Sequence, residues 1–313
     1  MNCYTHIYSS FRAILLSSLF YFLLCDNGVN AMNLDQSQRV AFINEQQLST
    51  LYPIEIKQFW EQGRFGHFNG VDNIRVNYAE FISSTKSERQ CIIIVPGRSE
   101  GYLKYKELAY ELDRQGYNSF IIDHRGQGLS QRLLPNKFKG YVASFDDYVT
   151  DLQQFVDTVV LPKCEQKPYI LAHSMGGLIA AHYMQKVPTA IQAAVLSSPM
   201  ISINSGGTPK WLVKFLIFIF EFFNQIISNE PWYFIGQGDV TADSYSTENF
   251  TSTKLMQSPL RYEQFISLYR STPALQLGGA TLHWLTESLT GETKAFEQIP
   301  ALSTPTIILQ AGA

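Results

Sequence analysis

Short continuous apolar runs alternate with helical patterns along most of this chain, and this alternation most constrains its fold. The apolar runs are Cys91–Val95, Ser119–Ile122, Tyr169–Ala172, Ala193–Leu196 and Thr306–Leu309. A strand that is apolar on both faces is typical of a parallel sheet covered by helices on either side. Segments with helical periodicity separate the runs, as in Phe145–Val159 and Met175–Val187. The sequence therefore predicts an α/β fold with a mostly parallel sheet and helices on both faces.

A hairpin is predicted before the first buried run, between Trp60 and Ser83. Two apolar stretches there are separated by the turn dipeptides Asn69-Gly70 and Asp72-Asn73. We expect this hairpin to form an antiparallel edge of the sheet.

Composition excludes two broad classes of protein. The 313 residues carry 24 Lys+Arg and 27 Asp+Glu, a formal net charge of −3. A nearly neutral chain lacks the basic field that neutralises phosphates, so no nucleic-acid partner is expected. With 45% hydrophobic residues, the chain buries enough surface to fold, which excludes a disordered protein.

The first part of the chain has the pattern of an export signal. Arg12 precedes the apolar run Ala13–Leu24, and the short residues Val29-Asn30-Ala31 follow. Residues 1–31 are therefore predicted to be a signal peptide of an exported protein, periplasmic or secreted. An uncleaved N-terminal anchor is the alternative. Residues 32–64 then form an N-terminal extension.

The alternation of strands and helices stops between residues 201 and 285, which we interpret as a lid inserted into the fold. Within it, Trp211–Ile227 is almost entirely apolar, and Lys214, Glu221 and Gln225 share one narrow stripe of a helix. Such a helix needs an apolar cover. It is either a buried core helix or a lid helix that faces an acyl chain or makes peripheral contact with a membrane surface.

The chemistry is predicted at the junction between a buried run and a helix, in the sequence Ala172-His-Ser-Met-Gly176. This is a variant of the G-x-S-x-G turn, in which a tight strand-to-helix bend presents the serine hydroxyl. The bend brings Ala172 and Gly176 close together, and both are small; Gly177 lets the helix pack closely. Ser174 is therefore the predicted nucleophile, although a serine that only caps a helix is the alternative.

A second turn, Pro96-Gly97-Arg98, follows the first buried run, where this architecture provides a donor for the oxyanion hole. The backbone N–H groups of Arg98 and Met175 are the predicted oxyanion donors. A plain turn is the alternative for this segment.

The Gly-rich turn Asp123–Ser130 is interpreted as structural. We expect Asp123 and Arg125 to brace loops, and His124 is not predicted to be catalytic.

Several of these motifs together carry a family resemblance. They are Val95-Pro-Gly-Arg-Ser-Glu100, Ile122-Asp-His-Arg-Gly-Gln-Gly128, Leu171-Ala-His-Ser-Met-Gly-Gly177, Ser198-Pro-Met200 and Gly278-Gly-Ala-Thr-Leu-His-Trp284. From about Phe65 onward the chain resembles the α/β-hydrolases of the monoglyceride lipase and bacterial lysophospholipase group, the serine aminopeptidase S33-like family. The resemblance implies hydrolysis of one acyl ester of a lysophospholipid or monoacylglycerol through an acyl-enzyme. A serine mechanism of this kind needs no metal and no organic cofactor.

A serine nucleophile also needs a histidine and a carboxylate, which follow the serine in this fold. In the resembled family the acid comes shortly after the strand that corresponds to Thr306–Leu309, and the histidine follows a further strand. We therefore expect residues 65–313 to be an incomplete hydrolase domain, with its last strand and helix and both triad residues beyond Ala313. None of the histidines at 6, 67, 124, 173, 182 and 283 is predicted to replace the base.

Two functions follow from this expectation. In the first, the chain is a serine hydrolase that is inactive as given. In the second, it is a non-catalytic protein that binds lipid under its apolar lid helix. A transacylase, which uses the same site, is a weaker third alternative.

One disulfide is predicted. Cys91 opens one parallel strand, and Cys164 lies just before the strand that starts at Tyr169. In this fold the two strands are neighbours, and an exported protein meets oxidising conditions. We therefore expect a Cys91–Cys164 bond, with two reduced thiols as the alternative.

Overall fold

The computed structural model describes residues 41–82, 89–203, 207, 209–251, 253 and 256–311. Phe42–Ala313 forms one compact unit. The predicted signal peptide, residues 1–31, and the first part of the predicted extension lie outside the described residues. Within the described part of the chain, no helix has the length and apolarity that crossing a bilayer requires.

The sheet has seven strands in the order β1-β2-β4-β3-β5-β6-β7. The hairpin strands β1 and β2 are antiparallel to each other, and β2 is antiparallel to β4. All other neighbouring pairs are parallel. This confirms the predicted mostly parallel sheet with an antiparallel edge. The strands are β1 (Arg64–Asn69), β2 (Arg75–Phe81), β3 (Gln90–Val95), β4 (Tyr117–Ile122), β5 (Tyr169–His173), β6 (Ala194–Ser197) and β7 (Thr306–Leu309).

Helices connect the strands and precede the sheet. They are α1 (Glu45–Leu51), α2 (Lys57–Glu61), α3 (Lys106–Arg114), α4 (Phe145–Phe155), α5 (Met175–Lys186), α6 (Lys210–Ile227), α7 (Pro259–Ser271) and α8 (Leu282–Glu297). Helix α4 begins at a capping box formed by Ser144 and Asp147 and continues as a π-helical turn, Val156–Val160. Capping satisfies backbone N–H groups that a helix start leaves unpaired.

The central strands are buried on both faces, as their continuous apolar runs predict. Ile93 packs into the larger core with α4 and α5. Its neighbour Ile94 points to the opposite face and packs with Ala109 of α3 and Trp60 of α2. Because successive side chains of a strand alternate between faces, the two clusters place helices on both sides of the sheet.

The hairpin starts later than predicted, because Trp60 belongs to α2 and only Arg64 begins the first strand. Its connection is a short 3-10 turn in which Asp72 and Asn73 have positive φ angles of 56° and 59°. Asp and Asn tolerate this left-handed region better than most residues, which explains their place in the turn.

The inserted segment, residues 201–285, contains α6 and α7 and leads into α8. Helix α6 packs on α8, but among its described side chains only Ile217, Glu221 and Asn224 are buried. The interpretation of Trp211–Ile227 as a buried core helix is therefore wrong. Its phenylalanines face outward, while its inner face carries a carboxylate and an amide.

Cys91 and Cys164 form a disulfide, with their Cα atoms 6.1 Å apart. Strands β3 and β5 are direct neighbours, with Ile92 opposite Tyr169. The bond therefore connects the starts of two adjacent parallel strands at the same edge of the sheet.

Candidate active site

Ser174 occupies the single residue between the end of β5 and the start of α5. Its backbone angles, φ 51° and ψ −119°, lie outside the regions that L-residues ordinarily adopt. The turn is fixed on both sides, since the Ser174 N–H donates to Ser197 O (3.0 Å) and its carbonyl accepts from Met200 N (2.8 Å). Strain of this kind persists only where the surrounding structure over-determines it, and it is concentrated at functional sites.

The two glycines after the serine are required by close packing. A Cβ at Gly176 would lie 2.2 Å from the carbonyl oxygen of Val95, at the end of β3. A Cβ at Gly177 would lie 2.6 Å from Cβ of Pro199. Contacts this short do not occur, so any larger residue would push α5 away from the sheet and move Ser174.

The loop that follows β3, Pro96–Ser99, lies directly beside this serine. A Cβ at Gly97 would lie 3.1 Å from Cβ of Ser174. The Gly97 N–H donates to Glu100 Oε2 (2.6 Å), and the Gly97 carbonyl accepts from Gln127 Nε2 (2.7 Å). The orientation of the peptide groups next to the nucleophile is therefore set by two buried polar side chains.

The rest of this loop is bonded in a similar way. Pro96 O accepts from His124 Nε2 (3.1 Å), and Ser99 O accepts from the hydroxyl of Tyr269 in α7 (2.6 Å). The Ser99 N–H donates to the Gln127 side-chain oxygen (3.3 Å). The inserted segment, through Tyr269, thus helps to shape the loop beside the serine.

Two N–H groups next to Ser174 stay available to a ligand. Among the described residues, no acceptor receives a hydrogen bond from the backbone N–H of Arg98 or of Met175. These are the two donors that the sequence assigns to an oxyanion hole. Free N–H groups on a rigid loop and at a helix start suit the stabilisation of negative charge.

Glu100 is a site residue that sequence reasoning missed. It is buried, and its Oε2 also accepts from the Tyr105 hydroxyl (2.7 Å) and lies 3.1 Å from Nδ1 of His173. Burial would raise the pKa of Glu100, but the hydrogen bonds and charges of His173 and Lys104 outweigh it and keep the pKa well below its ordinary value. The carboxylate therefore stays ionised beneath the loop. The only signal in the sequence was its position three residues after Gly97.

None of the histidines of the described chain is bonded to Ser174. His124 is buried, which lowers its pKa to about 4, so it stays neutral and donates to Pro96. His182 lies 2.8 Å from Gly291 O, and His283 lies 2.6 Å from Glu221. None of these, nor His173, forms a hydrogen bond to Ser174 within the described residues.

The Gly-rich turn after β4 braces loops, as its sequence suggested. Asp123 is buried and accepts from the N–H groups of Tyr102 and Leu129, while burial raises its pKa to about 7. Arg125 is also buried and forms a bidentate pair with Asp151, with distances of 2.6 and 2.7 Å. These contacts support the loops on either side of the candidate site.

Comparison with known proteins identifies the family of this chain. The family profile described as serine aminopeptidase, S33, matches residues 86–313. Lysophospholipase L2 of Escherichia coli (strain K12) is 36% identical over 256 residues, which cover 82% of this chain and 72% of that protein. The probable lysophospholipase L2 of Haemophilus influenzae is 34% identical, and the monoglyceride lipase of Rattus norvegicus is 26% identical over 75% of this chain and 69% of that protein.

Solved structures share the fold at lower identity. A soluble variant of monoglyceride lipase from Saccharomyces cerevisiae superposes with a TM-score of 0.55 at 18% identity, covering 82% of this chain and 78% of that one. The monoacylglycerol lipase of Paleococcus ferrophilus gives 0.52 at 17% identity, covering 74% and 76%. Since the family profile spans most of the sequence and the E. coli relative is matched over most of its own length, the chain belongs to the serine aminopeptidase S33 family of α/β-hydrolases.

Proposed function

We propose that this protein hydrolyses an acyl ester of a lysophospholipid or monoacylglycerol, with Ser174 as the nucleophile. The strained backbone of Ser174, in the tight turn from β5 to α5 beside Gly97, carries the proposal. The similarity to lysophospholipase L2 and to monoglyceride lipase supports the choice of lipid esters among the substrates of this fold.

In this mechanism the Oγ atom of Ser174 attacks the ester carbonyl carbon, and its proton passes to a general base. The carbonyl electron pair moves to oxygen, and the N–H groups of Arg98 and Met175 stabilise the resulting oxyanion. Collapse of this intermediate breaks the bond to the glycerol oxygen, which takes a proton and leaves. Water then cleaves the acyl-enzyme by the same steps and releases the fatty acid.

The base itself stays a prediction for positions beyond Ala313, together with the triad acid. No histidine of the described residues is bonded to Ser174, which supports this assignment. A serine without a base is a poor nucleophile. We therefore propose that turnover depends on a base and an acid that the described residues do not place at Ser174, and the tests below use the whole protein.

Helix α6 is proposed to contact the surface of a lipid aggregate or membrane. Its outward side chains include Trp211, 70% exposed, and Phe218, 64% exposed. Its inward polar groups are satisfied, since Glu221 bonds His283 and the Asn224 side chain bonds the backbone of Trp232. Exposing an apolar surface of this kind to water is unfavourable in free energy, and such surfaces commonly mark a site of contact with another molecule or a membrane. A lipid surface also supplies the proposed substrate, and export from the cytoplasm stays part of the proposal.

The test compares two serine variants of the full-length protein on a lysophospholipid and a monoacylglycerol with the same acyl chain. Ser174→Ala should lower kcat by about 10⁴-fold or more, as loss of a triad serine does. Ser198→Ala is the matched control, because Ser198 also follows a strand and has a positive φ of 43°. The control should retain hydrolysis. Equal activity of Ser174→Ala and the wild type would overturn the assignment.

A non-catalytic lipid-binding protein is the second candidate, favoured by the exposed apolar side of α6. In that case the wild type would bind lipid vesicles, show no ester hydrolysis, and be unaffected by Ser174→Ala. A vesicle-binding assay beside the hydrolysis assay separates the two functions.

A further inference from the structure

The side chain of Arg98 departs from the loop beside Ser174 and reaches the inserted segment. Its Nη2 donates to Gly278 O (2.7 Å), its Nη1 donates to Ser99 Oγ (3.2 Å), and its guanidinium lies 5.1 Å from the ring centroid of Trp284. Its Nε is buried and has no hydrogen-bond partner among the described residues. All of its partners are therefore neutral.

Arg125, in the same region, is an arginine whose charge is balanced by carboxylates. Arg125 is paired with the carboxylates of Asp151 and Asp147. Arg98 has no such partner within the described residues, and the side chains nearest to it in charge terms are tyrosines, whose hydroxyls are neutral near pH 7. Burial lowers the pKa of both guanidinium groups, but for Arg125 the carboxylates of Asp151 and Asp147 outweigh burial and raise the pKa, whereas the pKa of Arg98 stays lowered.

The local packing keeps this cation in place. A Cβ at Gly140 would lie 2.4 Å from Nη2 of Arg98, so a larger residue there would displace the guanidinium from its present position. A carbonyl oxygen and an aromatic face stabilise a cation partially but do not neutralise it. A partly buried positive charge without a counter-ion is unfavourable, and a bound anion would reduce that penalty.

The position of Arg98 indicates which kind of anion would bind to its guanidinium. Its backbone N–H is a proposed oxyanion donor, and the preceding residue, Gly97, lies against Ser174. An anion that contacts the guanidinium would therefore lie within about the length of one arginine side chain of the ester under attack. In a lysophospholipid, the phosphate is attached to the same glycerol as the scissile ester. A phosphate also matches the planar fork of a guanidinium, which binds two oxygens at once.

We propose that the guanidinium of Arg98 binds the phosphate of a lysophospholipid and thereby selects phosphate-bearing glycerolipids over neutral ones. This inference rests on the proposed function and narrows its substrate class. A monoacylglycerol presents only hydroxyl groups at the same place and leaves the cation without a counter-ion.

The test measures kcat/KM of the full-length protein for a lysophosphatidylcholine and for a monoacylglycerol with the same acyl chain. Arg98→Gln removes the charge, and its backbone N–H is retained. We expect the ratio of the two kcat/KM values, phospholipid over neutral lipid, to fall about 10- to 100-fold, the worth of a charge-assisted hydrogen bond. An unchanged ratio in a variant that still hydrolyses both lipids would overturn the inference.

Arg132→Gln is the matched control. Arg132 also donates to backbone carbonyls, those of Gly126 and Ala274, both at 2.6 Å, so the substitution removes the same charge from a similar setting. It should leave the substrate ratio unchanged. A fall in the ratio equal to that of Arg98→Gln would assign the effect to net charge and overturn the inference.

Inhibition of the wild type tests the inference even if Arg98→Gln fails to fold. Glycerophosphocholine should inhibit hydrolysis of the monoacylglycerol at concentrations at which glycerol does not. Lack of inhibition, or equal inhibition by inorganic phosphate, would refute a site for the lipid phosphodiester. A wild type that hydrolyses neither lipid refutes the proposed function itself, and the inference falls with it.

Discussion

Helices α5 and α6 are both rich in apolar residues, yet the structure treats them in opposite ways. Nearly every side chain of α5 is buried, and its Gly176 and Gly177 pack against the backbone of β3 and against Pro199. In α6, by contrast, Glu221 and Asn224 are buried and the phenylalanines face outward. Helix α5 packs against the protein through its apolar side chains, whereas α6 does so largely through polar ones. The apolar content of a helix alone therefore does not decide which of its faces is buried.

The difference teaches that close packing depends on small residues, and that satisfied polar groups together with one buried apolar residue, Ile217, can attach a helix whose other apolar residues face outward. The glycines of α5 let its axis approach the sheet, which bulky residues prevent. Helix α6 is attached through Glu221, whose carboxylate bonds His283 and Thr286 of α8. The apolar side is thereby left for another partner, which we propose is lipid. Four experiments test this contrast, from the largest expected effect to the smallest.

The first experiment removes the disulfide, which should contribute more to the free energy of unfolding than any other change tested here. Cys91→Ser combined with Cys164→Ser opens a loop with a sequence separation of 73 residues between adjacent strands. We expect the free energy of unfolding to fall by about 4 kcal/mol, chiefly because the unfolded chain gains entropy. Urea denaturation with and without reductant measures the effect. Reductant should destabilise the wild type and leave the double variant unchanged; a loss below about 1 kcal/mol in the double variant would contradict the prediction.

A pair of alanine substitutions compares the two helices directly. Ile179 in α5 is 0% exposed, whereas Phe218 in α6 is 64% exposed. Ile179→Ala leaves a cavity and should lower the free energy of unfolding by about 3 kcal/mol. Phe218→Ala should change it by less than about 0.5 kcal/mol, although it removes the larger side chain. Similar losses for both variants would show that α6 is packed in solution as a core helix and would remove the contrast.

The behaviour of α5 was predictable from the sequence, and the reason is local. A continuous apolar strand, a small-residue turn and a helix succeed one another between Tyr169 and Lys186, so neighbouring residues carry the whole pattern. The same holds for the parallel strands and for Ser174 at its bend. Each of these inferences depends on short-range periodicity and on the steric demand of one turn.

The orientation of α6 and the support of the loop beside Ser174 were not predictable in this way. Glu221 is one of few polar residues in an apolar helix, and such residues ordinarily face water; its partners His283 and Thr286 on α8 reverse this. Likewise, Gln127 orients Gly97 because the neighbouring strands β3 and β4 bring their loops together, and Glu100 does so from within the same loop. These contacts join residues that are distant in sequence or that belong to no periodic pattern, so no local sequence pattern predicts them.

The outward side of α6 is tested next, by its binding to lipid. Phe218→Ser combined with Phe222→Ser removes two exposed rings, 64% and 51% exposed. If these rings enter a lipid surface, the double variant should bind phospholipid vesicles about 100-fold more weakly, from the lost apolar burial. Vesicle co-sedimentation measures this. Ile179→Ala, measured without denaturant so that it stays folded, is the control and should bind vesicles as the wild type does. Equal vesicle binding by the wild type and the double variant would contradict the proposed contact.

The smallest expected effect concerns pH and the polar attachment of α6. The hydrogen bond to Glu221 raises the pKa of His283, while burial opposes this shift. Glu221 itself has a lowered pKa, because its bonds to His283 and Thr286 outweigh its burial. The stabilisation that protonated His283 provides is complete below its ordinary pKa of 6.5 and is lost as pH rises through its pKa in the folded protein. The stabilisation that ionised Glu221 provides is complete above its ordinary pKa of 4.5 and is lost as pH falls through its pKa in the folded protein. The pair therefore stabilises most between these two values.

We expect the wild type to lose about 1 kcal/mol of this attachment between pH 6 and pH 8, and Glu221→Gln to lose much less over the same range. Hydrogen exchange of the α6 amides measures it. His182 of α5 gives the opposite sign within the same molecule, because burial lowers its pKa and its protonation destabilises the fold as pH falls. Protection of α5 should therefore decrease toward acid while protection of α6 increases. Parallel changes in both helices would show that the ion pair does not attach α6, and that the two helices share one mode of packing after all.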